Sequence, residues 1–254
     1  MPDSLFDLSG STAVVTGASR GIGAAIAAGL AAAGADIIAT ATSAGSLAET
    51  ERLVTAHGRA FKPHALDLSD RSSVDAFIGA VLSGSGGPDI LVNNAGIIRR
   101  APAAEHGDDL WDETVGVDLT AQFRLARAAG AGMIERRHGR ILFTASLLSF
   151  QGGINVVSYA AAKSGILGLT RALANEWAPH GVTVNSIVPG YIATDNTQPL
   201  RDDPVRRKAI EERIPMGRWG TPADLAGAAI FLASRASDYV TGTQLIVDGG
   251  WLSR

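Results

Sequence analysis

No cysteine occurs among the 254 residues, which excludes disulfides, thiolate metal sites and a cysteine nucleophile. Positive charge is not in excess: 22 Lys and Arg face 25 Asp and Glu, a net charge of −3, so the chain carries no footprint for nucleic acid. No apolar run reaches about 18 uninterrupted residues, so no membrane span is expected. The five histidines, His57, His64, His106, His138 and His180, form no ligand spacing, and no metal site is expected. The opening MPDSLFDLSG has no basic stretch followed by an apolar one, so a signal peptide is not expected and the expectation is a cytoplasmic protein. Repeats, linkers and low-complexity segments are absent too, which leaves one domain over 1–254 with a core large enough to need no staples.

What is present is an alternation. Short β-branched runs at 12–17, 35–41, 60–67, 89–96, 139–146, 182–190 and 244–250 read as strands. Between them lie alanine-rich segments with apolar residues every three or four positions, including helices over 108–137 and 156–178. Strand–helix–strand alternation predicts an α/β fold with right-handed crossovers and a doubly wound parallel sheet covered on both faces. Runs such as AVV and ILV fit strands buried on both sides. One long irregular stretch, 189–221, holds four prolines and a charged middle. In a compact domain such a segment is either a lid over a site or a solvated excursion.

Gly17, Gly21 and Gly23 lie between the first strand and the first helix, where glycines let backbone amides approach a pyrophosphate at the positive end of the helix. The context, more than the glycines alone, carries that reading. Further on, Ser146 precedes Tyr159 by thirteen residues and Lys163 follows it by four, so the last two share a helix face. Taken alone, Tyr159 is equally a packing residue and Lys163 a surface charge. Together with TGASRGIG, NNAG at 93–96 and PGYIAT at 189–194, the set resembles the short-chain dehydrogenase/reductase family over essentially the whole chain.

The resemblance implies a Rossmann-type fold with a seven-stranded sheet, a nicotinamide cofactor and alcohol/carbonyl chemistry. Tyr159 would be the general acid or base, although a phenol ionising near pH 10 is poorly matched to neutral pH without a neighbouring cation such as Lys163. Lys163 would also hold the nicotinamide ribose. Ser146 would donate to the substrate oxygen. Asp118 stands where the family usually has an asparagine whose backbone carbonyl serves the proton path; the expectation is that Asp118 is tolerated. The cofactor set implied by resemblance begins with Gly17, Ser19, Arg20, Gly21, Ile22 and Gly23. It continues with Asp67 and Leu68, Asn93, Ala95 and Gly96, and ends with Pro189, Gly190, Ile192 and Thr194. Asp67 has a second reading as a helix N-cap near Ser69.

The second strand ends in Thr40, Ala41, Thr42 and Ser43, without the carboxylate that NAD-specific proteins use to hold the ribose hydroxyls. Asp36 lies at the wrong end of that strand. Arg20, Thr42 and Ser43 suit a 2′-phosphate, so NADP(H) is expected ahead of NAD(H); otherwise Arg20 is a surface cation and Thr42 and Ser43 open a helix. The loops AGIIRRAP, ASLLSFQGGI, PGYIATDNTQPLR and VDGGWLSR resemble the gluconate 5-dehydrogenase and 2-dehydro-3-deoxygluconate (2-deoxygluconate) dehydrogenase branch. Arg99 or Arg100 would grip a sugar-acid carboxylate, while Gln151 and Asn155 would meet hydroxyls. A solvated loop or subunit contact is the other reading of the arginine pair. The competing enzyme class is a 3-oxoacyl-acyl-carrier-protein reductase, and the non-enzyme alternative is a silent NADP-binding regulator. A homotetramer is implied, with Trp251 as an anchor on a neighbouring subunit.

Overall fold

The computed structural model describes residues 4–83 and 86–254. Seven strands carry the alternation: β1 (Thr12–Val15), β2 (Asp36–Ala41), β3 (Phe61–Ala65), β4 (Ile90–Asn93), β5 (Gly139–Thr144), β6 (Val182–Pro189) and β7 (Gln244–Val247). They form one parallel sheet in the order β3-β2-β1-β4-β5-β6-β7. The helices are α1 (Gly21–Ala32), α2 (Ala48–Thr55), α3 (Arg71–Phe77), α4 (Asp108–Val115), α5 (Gln122–Arg136) and α6 (Val157–Trp177), then α7 (Gln198–Asp202), α8 (Pro204–Arg213) and α9 (Ala226–Ala233). This is the Rossmann-type arrangement expected from the sequence.

Side-chain alternation along the strands builds two cores, one on each face. Val14, Leu91, Ile141 and Phe143 point to the layer that includes Leu125, Met133 and Ile166 of α5 and α6. Ala13, Val15, Ile90, Val92 and Leu142 point to the layer of α1 and α9, with Ile26, Leu30 and Leu232. Every residue of β4, β5 and β6 is buried, which explains their near-continuous apolar runs. The edge strands differ: β3 includes Lys62 and Pro63, residues that discourage further pairing.

The predicted helix over 108–137 is not uniform. Between α4 and α5 the chain widens into a π-helical turn at Gly116–Ala121, an arrangement that often re-aims a functional side chain. The segment after β6 contains α7 and α8, so the irregular stretch 189–221 is mostly short helices. Among the described residues no helix is long and apolar enough to cross a membrane.

Phe143 is the largest completely enclosed side chain and sits at the middle of the sheet. Phe143→Ala should therefore destabilise the fold by about 3–5 kcal/mol, read as a lower urea midpoint at unchanged slope.

Candidate active site

The strand order reverses between β1 and β4, and the turns leaving those two strands separate to open a crevice. Gly17 sits there with φ of 62°, and a Cβ on it would lie 2.8 Å from the Ala95 Cα. A Cβ on Gly23 would lie 2.3 Å from the Gly17 carbonyl oxygen, so the turn can close onto α1 only with glycine. The first turn of α1 has no acidic residue, and Arg20 at its N-cap supplies no side-chain cap. Its free N–H groups face the crevice, as phosphate binding requires.

A cavity of about 1090 Å³ runs from this turn across the carboxyl ends of the strands. Ser19, Arg20, Gly21, Ile22, Thr42, Ser43, Asp67 and Leu68 line one end. Ala95, Gly96, Pro189, Gly190, Ile192 and Thr194 line the middle, and Ser146, Gln151, Tyr159 and Lys163 the other end. The space and its polar lining fit a dinucleotide beside a small substrate. β2 ends at Ala41, and Thr42 and Ser43 just after it line the cavity, while Asp36, at the strand's other end, is held by Arg59 at 2.7 Å and the Ala60 amide at 3.0 Å. Thus no carboxylate from β2 reaches the place where the ribose would lie.

One residue of the expected cofactor set stands apart from the cavity. Asn93 is enclosed, lines no part of the cavity, and neither its Nδ2 nor its Oδ1 has a partner. It shares the parity of Leu91 and so faces the α5–α6 layer; the next residue, Asn94, turns the other way. Asn94 Nδ2 donates to the carbonyls of Thr16 (3.0 Å) and Gly17 (3.2 Å), pinning the glycine turn to β4. Thr16 Oγ1 accepts from the amides of Asn94 and Ala95, both at 3.0 Å. Thr16 opens the TGASRGIG motif and Asn94 lies within NNAG, but nothing in those motifs gives either residue this stitching role. Asp67 binds the Ser69 amide (2.9 Å) and hydroxyl (2.7 Å) through Oδ1, but the N-cap of α3 is Asp70, which accepts from the Ser72 amide.

At the other end, three elements bring the serine, tyrosine and lysine together. Ser146 follows β5 and opens a short turn, its Oγ accepting from the Leu148 amide. Tyr159 and Lys163 share a face of α6, with Lys163 Nζ 5.6 Å from the Tyr159 ring centroid. Lys163 is enclosed and donates to the Thr144 carbonyl at 2.9 Å. The Ser149 hydroxyl donates to the Lys163 carbonyl at 2.7 Å and accepts from the Ser146 amide at 3.2 Å, so the serine turn is tied directly to α6.

A family model described as Enoyl-(Acyl carrier protein) reductase matches residues 17–252. A 2-dehydro-3-deoxy-D-gluconate 5-dehydrogenase of Pseudoalteromonas atlantica is 57% identical over 250 residues, covering 98% of each chain. The chain belongs to the short-chain dehydrogenase/reductase family. Another member, the 3-oxoacyl-acyl-carrier-protein reductase FabG of Vibrio harveyi, is 42% identical over 96% of this chain and 98% of its own. A crystal structure from Agrobacterium tumefaciens, named as a 2-deoxy-D-gluconate 3-dehydrogenase and holding NADP, superposes with a TM-score of 0.93. It is 49% identical, over 99% of this chain and 100% of that one.

Where the family resemblance puts an asparagine, the π-helical turn presents Asp118. Its Oδ1 accepts from the Ile97 amide at 2.8 Å, and Oδ2 lies 3.6 Å from Lys163 Nζ, an ion-pair contact longer than a hydrogen bond. Asp118 is enclosed and lies behind Lys163 rather than on the cavity wall. Burial pushes its carboxyl above the ordinary value, while the Lys163 charge, the Ile97 N–H and Arg99 hold it back. A further buried contact joins the region: Gln122 Nε2 donates to the Ala95 carbonyl at 2.9 Å.

The expected substrate residues separate. Arg99 is taken by a two-pronged ion pair with Glu113, at 2.6 Å to each oxygen. Arg100 lines the cavity and makes one contact, 3.3 Å to the Asn196 carbonyl. Gln151 lines it too, but its Oε1 already accepts from the Trp251 indole at 3.0 Å. Asn155 does not line it; its carbonyl accepts from the Ala101 amide. Trp251 is buried in its own chain against Tyr191, which corrects the expected anchor on a neighbour. Arg20 is paired with Asp195 at 2.7 Å across the cavity mouth.

The sign of the Asp118 effect on stability is defined. A carboxyl raised in the folded state stabilises the protein below its unfolded value, and that contribution is lost as pH rises through the folded value. The asparagine variant has no such loss. Thermal unfolding from pH 4 to pH 8 should therefore show Asp118→Asn gaining on the unsubstituted protein as pH rises above the ordinary carboxyl value; an advantage that shrinks with pH would contradict this assignment.

Proposed function

We propose that this chain is an NADP(H)-dependent oxidoreductase that interconverts a secondary alcohol and a ketone on a sugar acid, of the 2-dehydro-3-deoxygluconate or gluconate 5-dehydrogenase kind. The observation that carries the reading is the meeting of Ser146, Tyr159 and Lys163 at one end of the cavity that begins at the glycine turn. The 57% identity to a protein named for that activity supports the substrate class, against 42% for the 3-oxoacyl reductase.

When bound, the nicotinamide cofactor accepts or supplies the hydride at the carbinol carbon. Tyr159 Oη takes or returns the hydroxyl proton. Lys163, fixed by the Thr144 carbonyl one helical turn from Tyr159, would hold the cofactor ribose. Ser146 Oγ donates to the substrate oxygen as charge develops there. Asp118 holds the Ile97 amide and balances Lys163 from behind. Thr42, Ser43 and Arg20, which line that end of the cavity, would receive the 2′-phosphate. Exchanging Asp195 for a phosphate costs Arg20 little, because an exposed ion pair is worth about 0–1 kcal/mol.

The reading includes a cytoplasmic homotetramer. A cytoplasmic location follows from dependence on a phosphorylated nucleotide that does not cross membranes unaided. Exposed apolar side chains on α4 (Trp111), α6 (Val157) and β7 (Ile246) support self-association. Sedimentation at micromolar concentration should give a tetramer, and a monomer would end that part of the proposal.

The deciding assay follows nicotinamide absorbance over gluconate, 2-deoxygluconate, a 5-keto sugar acid and an acetoacetyl thioester, each with NADP(H) and NAD(H). Turnover should be confined to sugar acids, favour NADP(H), and vanish in Tyr159→Phe while NADPH fluorescence still reports binding. Turnover of the thioester alone would transfer the chain to the 3-oxoacyl reductase class. Binding without turnover of any carbonyl compound would leave a regulator.

A further inference from the structure

The proposed reaction uses the groups along the cavity floor and leaves its outer wall at the substrate end unexplained. That wall is α8, whose four cations divide by direction. Arg207 pairs with Glu211 at 3.4 Å and Lys208 with Glu212 at 3.8 Å, each one turn along the helix. Arg206 and Arg213, seven residues apart and therefore on one face, line the cavity. Among the described residues neither has an acidic partner within ion-pair distance. The acids lining the same cavity are committed elsewhere: Glu113 to Arg99, Asp195 to Arg20, and Asp67, at the opposite end, to the Ser69 amide and hydroxyl.

Arg213 is held ready. Its guanidinium carbon stacks 3.9 Å from the Trp251 ring centroid. The Trp251 indole is fixed by Gln151 Oε1 at 3.0 Å and by Tyr191, whose ring centroid is 4.6 Å away. Gln151 belongs to the turn that Ser146 begins, so the stack is coupled to the catalytic end rather than to the glycine turn. Just past Arg213 the chain is clamped: the Met216 amide donates to the Gly249 carbonyl at 3.1 Å, and Pro215 packs against Gly250. Both arginines also face the Tyr191 phenol, where burial raises the pKa and their charges oppose that rise.

Among the described residues Arg206 and Arg213 are exposed to the cavity without an acidic partner, as is Arg100, and Arg213 is stacked as well, so this end of the cavity offers an anion a cationic wall. Cofactor phosphates belong at the opposite end of the cavity, on the first turn of α1. We propose that Arg206 and Arg213 form a binding site for the substrate's carboxylate, with Arg213, stacked on Trp251, as its fixed member. This deepens the sugar-acid reading and rests on it for the identity of the carboxylate. Arg213 contributes planar, two-pronged donors without first losing side-chain freedom; Arg206, on the unclamped part of α8, adds charge.

Calorimetric titration of the enzyme–NADPH complex with gluconate, tartrate and the neutral alditol glucitol tests this without requiring turnover. Arg213→Ala should weaken gluconate and tartrate by about 10- to 100-fold, and Arg206→Ala by a smaller factor in the same direction. Glucitol affinity and NADPH affinity should be the same in all forms, which also certifies folding. Arg213→Lys should recover part of the loss, because it restores charge but not the planar fork. Unchanged carboxylate affinity in both alanine variants overturns the proposal, as does an equal loss for glucitol or no carboxylate binding by the unsubstituted enzyme. Arg213-dependent gluconate binding without turnover of any sugar acid keeps this site and removes the proposed reaction, so the two can fail separately.

Discussion

One enclosed charge organises the catalytic half of this molecule. An ammonium cannot be buried without compensation, and Lys163 obtains it from two different elements, the Thr144 carbonyl at the end of β5 and the Asp118 carboxylate in the π-helical turn. Because α6 carries Lys163, satisfying that one group fixes α6 against the strand end and against the α4–α5 junction. Tyr159 is then carried into position as a neighbour on the same helix face, and Ser146 is drawn in through Ser149, whose hydroxyl bonds the Lys163 carbonyl. The site is thus arranged in part from behind, by Asp118 and Ser149, which do not line the cavity.

The other half is organised by backbone shape. Where β1 and β4 part, the Gly17 turn needs a left-handed residue and tolerates no side chain against Ala95, while Asn94 and Thr16 stitch the two strand ends together. Rigid strands supply the floor in both halves, and the segment after β6 supplies the outer wall. This division gives the two ends of one cavity different support, fixed strand ends for the cofactor end and helix and loop residues for the other.

Much of this was legible in the sequence. The strands of the sheet centre announced themselves through apolar runs because both of their faces are covered, and the glycine turn was readable because it joins such a run to a helix. The Tyr159–Lys163 spacing became meaningful once that context existed. What failed did so for geometric reasons. Which of Asn93 and Asn94 reaches the glycine turn depends on strand parity, and the doublet in NNAG does not reveal the parity. The wider turn at Gly116–Ala121 breaks no composition rule, since its residues also suit an α-helix. Trp251 reads as a free apolar residue until the C-terminal turn folds back on Tyr191. The charges of α8 look like a solvated face, and only the orientation of the helix separates Arg206 and Arg213 from Arg207 and Lys208.

The pairing of Arg20 with Asp195 has a consequence for ionic strength. Salt weakens the attraction between a guanidinium and a phosphate, and by itself would steadily erode preference for the phosphorylated nucleotide. Here the same salt also weakens the ion pair that must be given up before Arg20 can turn to that phosphate, since both side chains are well exposed. The two effects oppose each other. With Arg20 holding the 2′-phosphate as proposed, an arginine already engaged with a carboxylate would act as a buffer, keeping nucleotide discrimination steadier across salt concentrations than a free cation at the same place would.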